Sequence, residues 1–212
     1  MRGWPRVARS KGEMTGATTH PFVARVSRAL EAREARRAER DAPVGEAAVT
    51  VLLRPACEAG AEVLLIRRAQ REGDPWSGQI GLPGGRIDPS DPSLEATAIR
   101  EMHEEVGIDL ARAGEILGEL DELRPRTPHL PPIIVRPYVA ALHEPIALRL
   151  NPEVAEARWV SLEALFAPTA RVRTTVTVRG VTLPVEAVQH ETFVVWGMTE
   201  RILTGFAAVI GR

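Results

Sequence analysis

The stretch "GLPGGRIDPSDPSLEATAIREMHEEVGI", Gly81–Ile108, decides the fold. Within it Glu101, Glu104 and Glu105 crowd into five residues, with Arg100 directly before them and Gly107 shortly after. Asp91 suits a helix N-cap and Pro92 stands where a first turn tolerates proline, so the residues predict a helix from Pro92 to about Val106 that stops at Gly107. At about 100° per residue the three glutamates fall within an arc of roughly 100°, beside an apolar arc of Ala98, Ile99, Met102 and Val106. The acids border the buried stripe, and His103 points away from them as a surface residue.

Three carboxylates this close repel one another, and a helix C-terminus is the wrong end for negative charge. A hard divalent cation, Mg2+ or Mn2+, compensates such a cluster. It takes a few carboxylate oxygens and leaves its other positions to water and phosphate. An isolated ExxEE more often marks a solvated acidic turn, so the surrounding chain carries the decision.

Outward from the motif, "EAAVTVLLRP" and "AEVLLIRRA" read as strands of a hairpin turning at Cys57–Gly60. "REGDPWSG" and "RIDPSDP" are loops around a short glycine-ended strand, "QIGLPGG". Further strands are predicted at "EILGELDEL", "IIVRPYVAAL" and "AEARWVSL", with the proline-rich "RPRTPHLPP" as an extended surface loop and candidate substrate rim. "RVRTTVTVRGVTLPVEAVQ" alternates about Arg179-Gly180 as a hairpin does. Helices are predicted from Pro21 to about Arg40, with Thr19 as its cap, and over "VWGMTERILTGFAAVI", where Met198, Ile202, Leu203 and Phe206 share a face. Residues 1–20 read as a disordered tail, and residues 21–212 as one domain. This order predicts an α/β (α+β) sandwich with a mixed sheet. A GxGxxG dinucleotide fingerprint is missing.

With 212 residues, 27 basic and 28 acidic side chains, the chain carries a near-neutral formal charge, so neither nucleic acid nor an anionic membrane is an expected partner. The charged run "EAREARRAER" reads as a solvated helix surface. The single cysteine, Cys57, forms no intrachain disulfide and reads as a small core or loop residue. No apolar run approaches a membrane span, and a reducing, cytoplasmic location is expected.

The stretch from Gly85 through Arg100, Glu101, Met102, Glu104, Glu105, Gly107 and Ile108 resembles the box of the Nudix hydrolases. It departs from the box where Asp91 stands at its first acidic position and where eight residues, not seven, separate Asp91 from Arg100. Both departures resemble the coenzyme A pyrophosphatase branch, as do "NPEVAEARWVSL" and "VVWGMTERIL". The resemblance implies a Nudix-type α/β/α sandwich and a metal-dependent hydrolase of small nucleotide substrates. It implies that Glu101, Glu104 and Glu105 hold the metal, with the Gly84 carbonyl as a further ligand, that Arg100 orients the glutamates, and that a homodimer is allowed. Glu101 is the preferred general base, with Glu144, Glu153 and Glu156 as candidates outside the box.

For the substrate, the branch implies coenzyme A or an acyl derivative. The competing readings are a dinucleotide or nucleotide sugar and a non-catalytic nucleotide-binding module. "GQIGLPGG" fits the segment that precedes the branch's box, whereas Asp74 and Trp76 replace a basic residue and a histidine there. Trp76, Arg67, Arg68, Arg124 and Arg126 are the candidate substrate contacts, Trp76 by stacking on a base and the arginines by meeting phosphate.

Overall fold

The structure is a computed structural model that describes residues 20–41, 43–57, 60–74, 76–125, 132–178 and 180–212. The expected tail, apart from His20, lies outside these residues, as do Thr19 and Arg126. Helix α1 (Pro21–Glu31) is followed by strands β1 (Gly45–Cys57), β2 (Gly60–Arg68), β3 (Ile80–Gly81) and β4 (Gly84–Arg86), then helices α2 (Leu94–Val106) and α3 (Leu110–Ala113). Strands β5 (Gly114–Glu119), β6 (Ile133–Leu142) and β7 (Val154–Ser161) precede helix α4 (Leu162–Phe166). A short 3-10 turn at Pro168–Ala170 leads to β8 (Arg171–Val178), β9 (Val181–His190), β10 (Phe193–Trp196) and helix α5 (Gly197–Val209).

Among the described residues, seven strands form one mixed sheet in the order β3-β2-β1-β6-β5, with β4 also paired to β1 and β7 to β2. The β1–β6 pair is parallel and the remaining pairs are antiparallel. Strands β10, β9 and β8 form a second, antiparallel sheet. The central strands are apolar along their length because both faces of the large sheet are covered. Val51, Leu53, Val63, Leu65 and Val139 pack with Val26 of α1 and Phe206 of α5, while Leu52, Leu64, Ile66 and Ala140 pack with Met102 and Val106 of α2. The result is the expected helix–sheet–helix sandwich, with α1 and α5 on one face and α2 on the other.

Three boundaries differ from the sequence reading. Helix α1 ends at Glu31, not near Arg40, and is capped by His20, whose Nδ1 accepts the Phe22 N–H at 3.3 Å. The following charged run has no apolar stripe to hold a helix against the core. It is held instead against the end of β5 and the residues just after it, where Arg33 and Arg36 pair with Asp121, Arg37 with Glu119, and Arg40 with Glu122. Helix α2 begins at Leu94 with Ser93, not Asp91, as its N-cap; the Ser93 hydroxyl accepts the Ala96 N–H at 3.1 Å. Val195 and Trp196 belong to β10, and α5 starts only at Gly197.

Candidate active site

Two glycines bring strand and helix together. On β4, Gly84 lies opposite Val49 and Gly85 opposite Ala48. Gly84 has φ 149°, and a Cβ there would lie 2.2 Å from the Ala48 carbonyl oxygen. On Gly85 a Cβ would lie 2.3 Å from Glu101 Oε1. Only a backbone without side chains lets the last turns of α2 approach this closely, and Gly84 N–H uses the approach to donate to Glu105 Oε2 at 2.8 Å. At the helix end Gly107 adopts φ 74°, a left-handed stop of the kind the sequence predicts.

Arg100 organises the acids. Its Nε and Nη2 grip the Asp91 carboxylate, with Nη2–Oδ2 at 2.9 Å. Nη1 donates to both Glu101 Oε1 at 2.8 Å and Glu104 Oε2 at 2.9 Å, and Nη2 also reaches the Arg86 carbonyl at 3.1 Å. Asp91, whose capping role passes to Ser93, is the counter-anchor. It also accepts from the Thr97 hydroxyl at 2.8 Å and the Asp88 N–H at 3.0 Å, and the Arg100 guanidinium holds its carboxyl well below the usual carboxylate range.

Beside this network opens a cleft of about 330 Å³. One wall is polar, with Glu101, Glu105, Glu153, Asp74 and Arg68; the other is apolar, with Val49, Ile133, Val135, Met198 and Ile202. Trp76 and Gly84 also line it. Glu104 does not: its side chain is half exposed and turned to Arg100 on the rim, and among the described residues no three acidic, histidine or cysteine side chains converge as a metal cage. Of the candidate substrate arginines among the described residues, only Arg68 lines the cleft. Arg67, its neighbour on β2, points to the other face, donating to Glu156 at 3.1 Å and to the Thr192 carbonyl at 3.2 Å. Arg124 is tied to Asp41 and to the Glu39 carbonyl, far along the chain from the glycine-rich segment. Of the three acids outside the box, Glu153 lines the cleft; Glu156 is held by Arg67 and Arg158, and Glu144 is exposed at the end of β6. The sequence reading missed Arg86, Gln79 and Thr199 as lining residues, and the apolar wall from β6 and α5. The adjacency of Arg86 to Gly85 was the one available signal for the first of these.

The electrostatics fit a hard cation. Glu105 is 2% exposed, and burial pushes its carboxyl up to about 7, with the Gly84 N–H and Arg68 only partly opposing this. Burial also raises Glu101 against the pull of Arg100, and Glu104 and Glu153 push it further. Arg68 stands 3.9 Å from Glu105, is shared with Asp74 at 3.2 Å, and leaves its own buried Nε without a hydrogen-bond partner. A buried carboxylate and a partly buried one that repel each other and face a cleft are the oxygen donors that Mg2+ or Mn2+ prefers.

Comparison with known proteins shows what family this sequence and fold belong to. A family profile for the NUDIX domain matches residues 45–178. An uncharacterized Nudix hydrolase, NudL, of Photorhabdus laumondii is 33% identical over 154 residues, covering 72% of this chain and 79% of that protein. An uncharacterized protein of Schizosaccharomyces pombe is 39% identical over 115 residues, 52% of this chain but only 35% of that protein's length. A crystal structure of a MutT/nudix family protein from Enterococcus faecalis shares the fold, with a TM-score of 0.55 at 22% identity over 86% of this chain and 67% of its own. No described helix is long and apolar enough to cross a membrane. With the profile spanning β1 to β8 and the glutamate helix inside it, the chain belongs to the Nudix family.

Proposed function

We propose that the chain is a divalent-metal-dependent pyrophosphohydrolase acting on a nucleoside diphosphate linked to a second group. The observation that carries this is the Glu105 carboxylate, buried, facing a small-molecule-sized cleft and short of compensating charge. Glu101 and Glu105 would hold the cation, with Glu104 joining from the rim and the Gly84 carbonyl as a further oxygen donor. When bound, such a cation neutralises phosphate oxygens and lowers the barrier to hydrolysis. Arg100 keeps Glu101 and Glu104 oriented through one shared nitrogen. Arg68 and Arg86 carry positive charge to the cleft for the phosphates. A proton from the attacking water passes to a carboxylate oxygen of Glu101, with Glu153 as the other base that lines the cleft.

Two substrate readings compete. Resemblance to the coenzyme A branch favours coenzyme A or an acyl derivative, cleaved to 4′-phosphopantetheine and adenosine 3′,5′-bisphosphate. The ion pairs near the cleft favour the other, a dinucleotide or nucleotide sugar such as NADH or ADP-ribose, because neighbouring arginines that an extra 3′-phosphate could use are already engaged. Arg71 is bonded to Glu153 and Arg67 faces Glu156, while Arg68, shared with Asp74, serves the diphosphate itself. Mass spectrometry of products after incubation with Mg2+ or Mn2+ and each substrate, beside a Glu105→Gln control, tests both. Hydrolysis that the control loses supports the site. Absence of hydrolysis across the panel would leave a nucleotide-binding module in its place.

A further inference from the structure

A second pocket of about 340 Å³ adjoins the cleft, and Asp74 and Gln79 line both. Its other walls come from Gln70, Arg71, Gly73 and Ser77 of the loop after β2 and from Thr177 and Val178 at the end of β8. The second sheet thus reaches the neighbourhood of the catalytic cleft here. In contrast to the apolar wall of the cleft, this lining is polar and hydroxyl- and amide-rich. Ser77 is positioned by the Arg71 N–H at 2.6 Å and by Gln70 at 3.2 Å. Among the described residues the one cation of the pocket, Arg71, already meets Glu153 at 2.8 Å.

Resting on the pyrophosphohydrolase reading, we infer that this second pocket holds the group on the far side of the substrate's diphosphate, and that this group is neutral and rich in hydroxyls, as a ribose or hexose is. Amides and hydroxyls both donate to and accept from sugar hydroxyls. Asp74, at the junction of the two pockets, accepts hydroxyl hydrogens. A long acyl chain finds a single apolar side chain here, Val178, whereas a flat base finds an apolar wall against Val135, Met198 and Ile202 in the main cleft. The two cavities therefore sort the two ends of the substrate by chemistry. Each has a volume in the range that small-molecule sites occupy.

The test is steady-state hydrolysis of ADP-ribose, dephospho-coenzyme A and coenzyme A by the full chain with Mg2+ or Mn2+, in wild type, Thr177→Trp, Thr175→Trp and Asp74→Asn. Residues 175 and 177 are exposed on the same side of β8, so Thr175→Trp controls for a bulky ring on that strand without entering the pocket. Thr177→Trp is expected to raise KM for ADP-ribose at least fivefold with kcat within twofold, and Thr175→Trp to leave KM unchanged. Wild type is expected to favour ADP-ribose over dephospho-coenzyme A, which shares its ADP half and differs in the far group, and over coenzyme A, at least tenfold in kcat/KM; Asp74→Asn, which weakens the acceptor at the junction, is expected to raise KM for ADP-ribose more than for dephospho-coenzyme A. An unchanged KM for ADP-ribose in Thr177→Trp, or coenzyme A as the better wild-type substrate, would overturn the inference while leaving the hydrolase reading intact. Absence of hydrolysis of all three by wild type would overturn both.

Discussion

At Glu105 burial and ionisation oppose each other. The folded carboxyl sits at about 7 against an ordinary 4.5, so the unfolded chain gives up this proton more readily than the folded one. The penalty is absent below about pH 4.5, grows as pH rises and is complete above about 7. Glu105→Gln keeps an oxygen to accept the Gly84 N–H and removes the charge. Without metal it is expected to be more stable than wild type at pH 8, by on the order of 2 kcal/mol, and equal to it at pH 4. Urea unfolding in EDTA at the two pH values reads this directly; a gap that does not widen with pH would refute burial as the cause. Excess Mg2+ is expected to raise the wild-type midpoint and not that of the variant. Arg100→Lys bears on the same network. A lysine cannot span Asp91, Glu101, Glu104 and the Arg86 carbonyl with one planar fork, so roughly 2 kcal/mol of stability and at least tenfold in kcat/KM should go. A variant with full activity would remove Arg100 as the orienting residue. The importance of these two positions was legible in the sequence. The use of Asp91 was not, because aspartate and serine two residues apart cap a helix equally well, and only the reach of Arg100 distinguishes them. Likewise Arg67 and Arg68 are equivalent in composition, and strand parity alone sends one to the cleft and the other to Glu156.

The segment after α1 shows how an element is decided by partners distant in sequence. Its arginines read as a helix surface, yet Glu122, with its side chain fully buried, receives Arg40, Arg136 and the Ala38 N–H. Burial alone would raise the Glu122 carboxyl, but these hydrogen bonds overcome it and hold the group at about 2. A depressed value contributes stability that is present above about pH 4.5 and is lost as pH falls towards 2. Glu122→Gln leaves Arg40 and Arg136 without their shared carboxylate, and is expected to cost roughly 2 to 3 kcal/mol at pH 7, since Arg40 is partly solvated. The difference from wild type should shrink progressively between pH 4.5 and pH 2.5. Thermal melts at those values check it, and a constant difference would show that charge is not what fastens the segment. No local pattern announces this clasp, because Glu122 lies more than 80 residues along the chain from Arg40. The strands and α2, by contrast, were legible because alternation and helical spacing are local signals.

Across the whole molecule, one helix serves both the core and the cleft. The sequence shows the apolar face of α5 but not that Met198, Thr199 and Ile202 at its start border the cleft while Phe206, further on, is fully buried against α1 and the sheet. That division of labour follows from the sandwich. A helix capping one face of the sheet has its first turn beside β3 and the mouth of the site, and its later turns deep in the layer. Phe206→Ala should therefore act in two places. Loss of the ring leaves a cavity between α5, α1 and the sheet, costing about 3 to 5 kcal/mol in urea unfolding. The loosened helix also carries the apolar wall, so under conditions where the variant remains folded KM should rise several-fold while kcat, set by α2 on the opposite face, changes less. Phe206→Leu, which refills most of the volume, should recover both stability and KM. A variant that loses stability with KM unchanged would mean that the first turn of α5 is held by its own contacts, such as the Thr199 hydroxyl to the Ile80 carbonyl at 3.3 Å, and that core and cleft are uncoupled along this helix.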